Sequence, residues 1–413
     1  MNDLTQSKPV QLVEETRHAL QGVRRALIEL YAAAGADPGA PQDVARRYGV
    51  NRNLTWKLSK VINAAGPFAS LNHLPGQQGV DLAVGAFENA GVPRPAADEV
   101  RQAMRRFMEV VEAHAGDREH LELTLESMGM LERESAGDTG RELAYRGNSA
   151  VWGIQARTRL TAAFLAPTSS KGDQHTVVLI SGLVGFRRLR PNVTWRLFRS
   201  QACNDQGADL RGGPEEFEPK SADQQPLILR EFSSPHMPEL GYSHTPLGRE
   251  FYLPAGEVGN RAVFDCVYGY IMRGLPAYRR PEDEVGSFAV PITLPVEHLV
   301  FDIVYHKSIP IAETVESALY GFPHGGPDDV TEQTVKNRLP LSEKPVELAG
   351  SPPAVATPLA PVLSRVAEKV YARMGWNADD FRGVRLQVQH PPMSSRVVLR
   401  WKLPEAPGSG AAG

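Results

Sequence analysis

From residue 41 to residue 62 the chain reads PQDVARRYGVNRNLTWKLSKVI, and this stretch predicts two short helices joined by a tight turn. Pro41 suits the first turn of the first helix, where its missing N–H is not needed. Gly49 stands where the chain needs a left-handed residue to end that helix. Asn51 can then cap a second helix that begins at Arg52. We therefore expect two helices that meet at a glycine corner.

The second of these helices has one apolar face and one polar face. Its apolar residues fall at i, i+4, i+7 and i+8, which is a single stripe, and they are Leu54, Leu58, Val61 and Ile62. The opposite face carries Arg52, Asn53, Trp56, Ser59, Lys60 and Asn63. Ala45, four residues before Gly49, is small enough for two steeply crossing helices to touch there. The stretch is a helix-turn-helix in outline.

The pattern resembles the helix-turn-helix of bacterial DNA-binding regulators, whose second helix lies in the major groove. In that family a small residue, a turn glycine and a hydrophobic residue stand where Ala45, Gly49 and Val50 stand here. The buried position five residues after Val50 usually holds Ile, Val or Leu in the family, and here it is Thr55. We expect Leu54 to take over that position through a slight rotation of the helix. The resemblance covers roughly residues 19–62.

A local excess of positive charge accompanies the motif. Residues 42–60 contain five Lys or Arg residues, and Asp43 is their only acid. Such an excess favours duplex binding, because neutralised phosphates release condensed counterions, and Arg and Asn side chains can also reach base edges bidentately. Arg46 and Arg47 are expected to contact phosphate. The full set of predicted DNA-contacting residues is Arg46, Arg47, Asn51, Arg52, Asn53, Trp56, Lys57, Ser59 and Lys60.

Two features of this stretch have a purely structural interpretation as well. A basic helical hairpin with a glycine turn can simply be solvated and pack on another part of the protein. Trp56, on the outer face, can stack on a sugar or base, but we expect it to pack against the helix that begins near residue 95.

Length and composition limit the class of protein. The chain has 413 residues, which exceeds the size at which a single hydrophobic core stops growing, so we expect two or three domains. A net charge of −3 excludes a protein that is basic throughout, and any nucleic-acid contact must therefore be local. Cys203 and Cys266 have neither disulfide-framework nor zinc spacing. No apolar run approaches a membrane span, and the first residues lack the apolar core of a signal peptide. A cytoplasmic protein without membrane contact is expected.

The predicted helices and strands, taken in chain order, divide the sequence into domains. Amphipathic helices fill residues 1–135, which we interpret as an all-α helix-turn-helix domain followed by a polar linker over 132–141. Strands without intervening amphipathic helices fill 142–320, which favours an antiparallel, β-rich sandwich or barrel. One helix and two strands over 355–405 predict a small C-terminal α/β unit. The predicted fold class is α+β multidomain.

Motifs of enzyme chemistry are missing from the sequence. Ser181 lacks the preceding glycine of a nucleophile elbow, since Leu179 stands there, and neither nucleotide-binding glycine motif occurs. His298, Asp302 and His306 would share one strand face, but residues four apart on a strand stand about 13 Å apart. One ion held at about 2 Å from each ligand cannot bridge that distance. We therefore predict no catalytic residue, no cofactor and no metal.

A second basic run, from Gly185 to Arg199, mixes arginines with aromatic residues. Arg187, Arg188 and Arg190 predict a place for a small anionic effector, with aromatic side chains available for stacking. The structural alternative is that arginine stems cover apolar surface at a sheet edge. Both interpretations stay open.

These observations favour a transcriptional regulator that reads duplex DNA as a homodimer, because duplex operators are usually met by symmetric dimers. The β-rich region would then serve effector sensing or oligomerisation. One alternative is a protein-interaction module whose helical hairpin does not contact DNA. Another is an enzyme whose site is assembled from residues scattered through the β-rich region.

Overall fold

The computed structural model of the chain describes residues 7–131, 136–168, 173–200, 215–218, 227–245, 248–279, 285–311, 314–321 and 337–406. The described residues form two compact units, one ending at Gly137 and one beginning at Asp138, close to the predicted boundary at residue 135. The first unit is helical and the second is rich in sheet. The molecule is an α+β multidomain protein, as the sequence predicts.

The helical unit is built around a long first helix. Its helices are α1 (Ser7–Ala34), α2 (Pro41–Tyr48), α3 (Arg52–Ile62), α4 (Pro67–Leu71), α5 (Gln77–Asn89), α6 (Arg94–His114) and α7 (Arg118–Ser127). α1 packs along α6, and Phe107 of α6 is fully buried. The ring of Phe87 lies 5.2 Å from Tyr31 of α1 and 4.4 Å from Tyr48 of α2, measured between centroids. Phe87 of α5 therefore joins α1 and α2 in one core.

Helix α8 (Ala136–Trp152) occupies most of the predicted linker over 132–141; residues 132–135 lie outside the described part of the chain. The linker prediction was wrong from residue 136 onward: residues 136–141 read AGDTGR and begin α8, because polar composition alone does not separate a linker from the first turns of a helix. Gly153, with φ +72°, ends α8 and lets the first strand begin at Ile154.

The second unit contains the strands of the molecule. In the described ranges they are β1 (Ile154–Pro167), β2 (Gln174–Arg188), β3 (Trp195–Ser200), β4 (Glu215–Glu216), β5 (Gly241–Thr245), β6 (Gly248–Leu253), β7 (Phe264–Pro276), β8 (Val285–Ile292), β9 (Val296–His306), β10 (Glu316–Gly321), β11 (Arg338–Leu339), β12 (Val346–Glu347), β13 (Phe381–Gln389) and β14 (Ser395–Lys402). Helix α9 (Leu363–Met374) precedes β13.

These strands form a large mixed sheet and two smaller antiparallel ones. The large sheet has the order β12-β13-β9-β1-β2-β7-β4, in which β1 and β9 run parallel and the other pairs antiparallel. The smaller sheets have the orders β11-β10-β14-β8 and β3-β6-β5. The antiparallel pairing predicted for 142–320 is thus present, with one parallel pair at its centre.

The separate C-terminal unit predicted for 355–405 is part of these sheets. β13 pairs with β9, and β14 pairs with β8 and β10. Alternation along a strand indicates that the strand is half-buried, but it does not specify the partner strand. The sequence pattern therefore located these strands correctly and could not assign them to a sheet.

The large sheet has a core on each face. Successive residues of β9 point to opposite faces: Leu299, Phe301 and Ile303 join a cluster with β14, while Val300 and Val304 pack with α9. Asp302 also lies on the α9 face, where it is fully buried. Arg385 of β13 donates to both of its carboxylate oxygens, at 2.8 and 2.7 Å.

Candidate nucleic-acid interface

The corner between α2 and α3 has the geometry that the sequence predicts. Gly49 adopts φ 66° and ψ 23°, and the N–H groups of Gly49 and Val50 both donate to the Ala45 carbonyl oxygen. Asn51 caps α3, since its side-chain oxygen accepts from the Asn53 N–H at 2.8 Å. α2 and α3 are therefore fixed relative to each other by backbone and cap hydrogen bonds.

The inner side of α3 is anchored in the core of the helical unit. Leu58, Val61 and Ile62 are buried, and Thr55 is fully buried as well. The Thr55 hydroxyl donates to the Arg52 carbonyl oxygen at 3.0 Å, so burying it leaves no unsatisfied donor. Leu54 is only half-buried. The expected rotation that would place Leu54 inward was wrong, because Thr55 buries its methyl group and satisfies its hydroxyl locally.

The outer side of α3 is uncovered within the helical unit. Asn51, Arg52, Asn53, Trp56 and Lys60 are exposed. Lys57 and Ser59 are half-buried at its edge. On the neighbouring helix α2, Arg46 and Arg47 are exposed too. The predicted contact residues thus cluster on one surface, which we call the α3 surface, and its exposed members are Arg46, Arg47, Asn51, Arg52, Asn53, Trp56 and Lys60.

Several members of the predicted set already have partners in the unit. Arg46 pairs with Asp43, and its side chain stays 73% exposed. Arg47 donates to the Gly35 carbonyl oxygen at 3.2 Å. Ser59 donates its hydroxyl hydrogen to the Pro38 carbonyl oxygen at 2.6 Å, which ties α3 to the turn before α2. Ser59 therefore has a structural role, and its oxygen also accepts from the Asn63 side-chain amide at 3.5 Å.

Trp56 does not take the predicted packing position on α6. It is 44% exposed, and its ring meets the His73 ring edge-on at 5.5 Å between centroids. The Lys60 ammonium lies 5.7 Å from the centre of the Trp56 ring, within cation–π range. An aromatic face and a cation are thus presented together on the α3 surface.

His73 reports the electrostatic character of this surface. Partial burial lowers the pKa of His73, and the positive charges of Lys60 and Lys57 lower it further. The sequence analysis did not identify His73, which lies in the turn between α4 and α5, where no periodic pattern places a side chain. Its proximity to α3 is a product of tertiary packing.

The second basic run does not form the predicted arginine cluster. Arg188 is buried and donates to the Pro254 carbonyl oxygen. Arg190 donates to the Val151 carbonyl oxygen at 2.7 Å. Arg187 is half-buried and points to the opposite face of β2, because neighbouring strand residues alternate. Arg188 and Arg190 therefore have structural partners, and Arg187 is separated from them.

Several polar residues that could serve as catalytic or metal-binding groups have local partners, whereas the buried Nδ1 of His298 has no hydrogen-bond partner among the described residues. His306 Nδ1 lies 2.8 Å from the Ser308 hydroxyl, and the Ser181 hydroxyl lies 3.3 Å from that of Thr161. Burial raises the pKa of the Cys266 thiol to about 12, so it is not a nucleophile at neutral pH. Among the residues that the structure describes, no group of three His, Cys, Asp or Glu side chains could hold a metal ion. Cys203 lies outside those residues.

Comparison with known proteins gives little. No family model matches the chain, and no curated protein matches it. A solved structure described as a "putative protease" from Parabacteroides distasonis aligns with 60% of this chain at 10% identity and a TM-score of 0.25. The chain spans 40% of that protein. A likeness this low carries no argument about fold or activity. In the described part of the chain, no helix is both long and apolar enough to cross a bilayer.

Proposed function

We propose that this protein is a DNA-binding transcriptional regulator of the helix-turn-helix type, which reads duplex DNA through α3. The observation that carries the proposal is the two-sided construction of α3. Its inner residues are locked in the core, while Arg52, Asn53, Trp56 and Lys60 project from the uncovered side. A helix held in this way presents one rigid polar face, as groove binding requires.

The first turn of α3 would supply the base contacts. Arg52 can donate two hydrogen bonds to a guanine edge, and Asn53 can pair bidentately with adenine. Arg46 and Arg47, at the end of α2, would meet phosphates on one side, with Lys57 and Lys60 on the other. Arg46 would have to exchange its exposed partner Asp43 for a phosphate, and exposed ion pairs are weak enough for that exchange.

The remaining parts of the proposal concern the second unit and the assembly. A homodimer would match the two-fold symmetry of a duplex operator. The sheet-rich unit would serve effector sensing or oligomerisation, and a cytoplasmic location would give access to chromosomal DNA. The family resemblance of the α2–α3 corner supports these assignments by analogy.

Trp56 favours one alternative function. Exposed tryptophans are over-represented at the centres of protein–protein interfaces, and Trp56 is 44% exposed in the middle of the α3 surface. An α3 surface used for a protein partner would depend on Trp56 more than on the cations around it.

The test is the salt dependence of duplex binding by the full chain, measured by fluorescence anisotropy with a labelled mixed-sequence duplex. The affinity should fall steeply with salt, with a log–log slope of about −0.9 for each phosphate contact. Replacing Arg52 and Lys60 together by Ala should reduce that slope by about 0.9, because Lys60 is the member of the pair that we place on a phosphate. Arg105→Ala is the matched control, because Arg105 is an exposed arginine of the same unit on α6.

A specificity readout completes the test. Selection from a random duplex pool should enrich a sequence with the intact protein, and Arg52→Lys should relax one position of that sequence while preserving the salt slope. Failure of the intact chain to bind any duplex at low salt would refute the proposal. So would equal effects of Arg105→Ala and of the Arg52/Lys60 pair. Loss of function confined to Trp56→Ala would favour the protein-interaction alternative.

A further inference from the structure

A cleft of about 550 Å³ opens in the sheet-rich unit, beside the N-terminal end of α9. Strands β1, β2 and β7 form one wall and the residues that lead into α9 form the other. Arg157, Arg187 and Arg365 line it together with Val184, Phe232 and Val263. Its size falls within the range of small-molecule sites.

A bulge in β2 builds the basic side of this cleft. The pairing of β2 with β7 shifts register between Leu183 and Phe186, and Gly185 adopts φ +65° there. The Gly185 N–H donates to an Asp265 carboxylate oxygen at 2.7 Å. A Cβ atom at Gly185 would lie 3.1 Å from the Arg157 Cβ atom. Bulges re-aim the side chains beside them, and this one brings Arg157 and Arg187 into the same cleft.

The acidic and hydroxyl groups of the cleft are already engaged. Asp265 accepts the Gly185 N–H, and Glu231 pairs with Lys369 and, at 3.6 Å, with Arg365. The Ser233 hydroxyl donates to the Leu229 carbonyl oxygen, and the Ser234 hydroxyl accepts the Asp265 N–H. The anionic side chains of the lining are therefore used within the fold.

The side chains of Arg157 on β1 and Arg187 on β2 are not used in this way. In the ranges that the structure describes, neither side chain makes a hydrogen bond or an ion pair with another residue, and Arg157 is exposed. The Nε of Arg187 is buried and has no acceptor there. A buried donor without an acceptor is unfavourable, so a bound acceptor would be favourable. Val362, at the N-terminal end of α9, provides no side-chain cap. The first-turn N–H groups of α9 therefore add to the positive potential of the cleft.

We propose that this cleft binds a small organic dianion, namely a phosphate monoester or a dicarboxylate, through Arg157 and Arg187. Guanidinium forks match the spacing of oxygens in both groups. The apolar wall of Val184, Phe232 and Val263 would contact the carbon skeleton of the ligand. The site shares only Arg187 with the effector position predicted from the sequence, and it does not depend on DNA binding.

Titration calorimetry of the full chain at low salt tests this site, with phenyl phosphate and phthalate as probes. Both probes carry about two negative charges at pH 7.5 on an aromatic ring. Binding of either probe is expected, and a preference for one identifies the oxyanion. Arg157→Gln and Arg187→Gln should each weaken binding at least about tenfold, which corresponds to about 1.4 kcal/mol. Arg187→Lys should retain an intermediate affinity, because it keeps the charge but loses the fork.

Two controls test whether binding depends on this cleft and on the charge of the probe. Arg190→Gln, a change of equal charge in the same basic run, should leave the affinity unchanged, and benzyl alcohol should not bind. Circular dichroism of each variant verifies that it is folded. The proposal fails if neither probe binds the wild-type chain, or if Arg157→Gln and Arg187→Gln, both folded, bind as wild type does. It also fails if Arg190→Gln weakens binding as much as they do. None of these outcomes bears on the duplex-binding test.

Discussion

At the scale of single residues, the pKa of His73 responds to the positive charges of α3. Its ring contacts Trp56, and Lys60 and Lys57 act on it through their charges. Burial is the larger cause of its lowered pKa, and the two lysines add to it. The same lysines are the ones that we expect to meet phosphate, so a change at Lys60 has a consequence that can be read without DNA.

Lys60→Gln should raise the pKa of His73 toward its ordinary value, because one of the two positive charges that disfavour the imidazolium is removed. The shift should be partial, since burial and Lys57 remain. An NMR titration of the His73 ring protons measures it, and Arg105→Gln is the control at an exposed position on α6. An unchanged His73 pKa in Lys60→Gln would show that the lysine does not lie where we place it.

Asp302 is a fully buried carboxyl group in the large sheet. Burial raises the pKa of Asp302, and the bidentate hydrogen bonds from Arg385 oppose that effect. Asp302→Ala should lower the free energy of unfolding by about 3–5 kcal/mol, because it leaves the largely buried Arg385 without a carboxylate partner, with only the Val355 and Ala356 carbonyl oxygens as acceptors. Urea denaturation of the sheet-rich unit measures the loss.

The matched control for Asp302 is an exposed pair in the same unit. Glu316 lies 3.0 Å from Arg400, and its side chain is 67% exposed. Glu316→Ala should change the free energy of unfolding by less than about 1 kcal/mol, because solvent screens such pairs. Equal losses in the two variants would contradict the assigned role of Asp302.

At the scale of elements, the glycine corner sets the direction of α3. Gly49 has open space around the position of a Cβ atom, so its left-handed backbone is what restricts the residue. Gly49→Ala should therefore destabilise the helical unit by about 1 kcal/mol, the cost of a left-handed conformation for a residue with a Cβ. The midpoint of its thermal unfolding measures this change.

Gly22 provides the opposite case on α1. A Cβ atom there would also meet no other atom, but the backbone is helical. Gly22→Ala should stabilise the same unit by about 0.5–1 kcal/mol, because glycine is a poorer helix former than alanine. If Gly49→Ala and Gly22→Ala shift the midpoint of thermal unfolding in the same direction, backbone conformation does not determine the effect of alanine on stability at these two positions.

At the scale of the whole molecule, charge is distributed unevenly. The net charge is −3, yet residues 42–60 contain five cations and one acid. In both units, hydrogen bonds lower the pKa of carboxyl groups. Basic side chains donate them to Glu15, Glu88, Glu231 and Asp380, and the backbone N–H of His120 is the largest cause at Asp117. Folding is thus linked to the ionised state of these carboxylates.

The stability of both units should decline as the pH falls below about 5. A carboxyl group whose pKa is lower in the folded chain stabilises it fully above the ordinary value near 4, and this contribution is lost as the pH falls through the folded value. Asp302 acts in the opposite sense, because its pKa is raised. Urea midpoints at pH 6, 5, 4 and 3 measure the decline. Midpoints that stay constant or rise on acidification would contradict it.

The outer face of α3 was largely predictable, because local signals determine it. Pro41, Gly49 and Asn51 act within a few residues of themselves, and an apolar stripe of period 3.6 shows which side of a helix is buried. α8 was missed from residue 136 because polar composition suits both a linker and an exposed helix. Thr55 was misplaced because its burial depends on a hydrogen bond to Arg52 that composition does not show.

By itself the sequence determined the division into a helical and a sheet-rich unit, the α2–α3 corner and the residues on its exposed face, since periodicity and turn chemistry act over short separations. The tertiary structure alone decided which strands pair, that β13 and β14 complete the earlier sheets, and that His73 lies beside Trp56. It also brought Arg157 and Arg365, far apart in sequence, into one cleft with Arg187. Contacts between distant residues depend on how separate elements pack, and no local pattern records that packing.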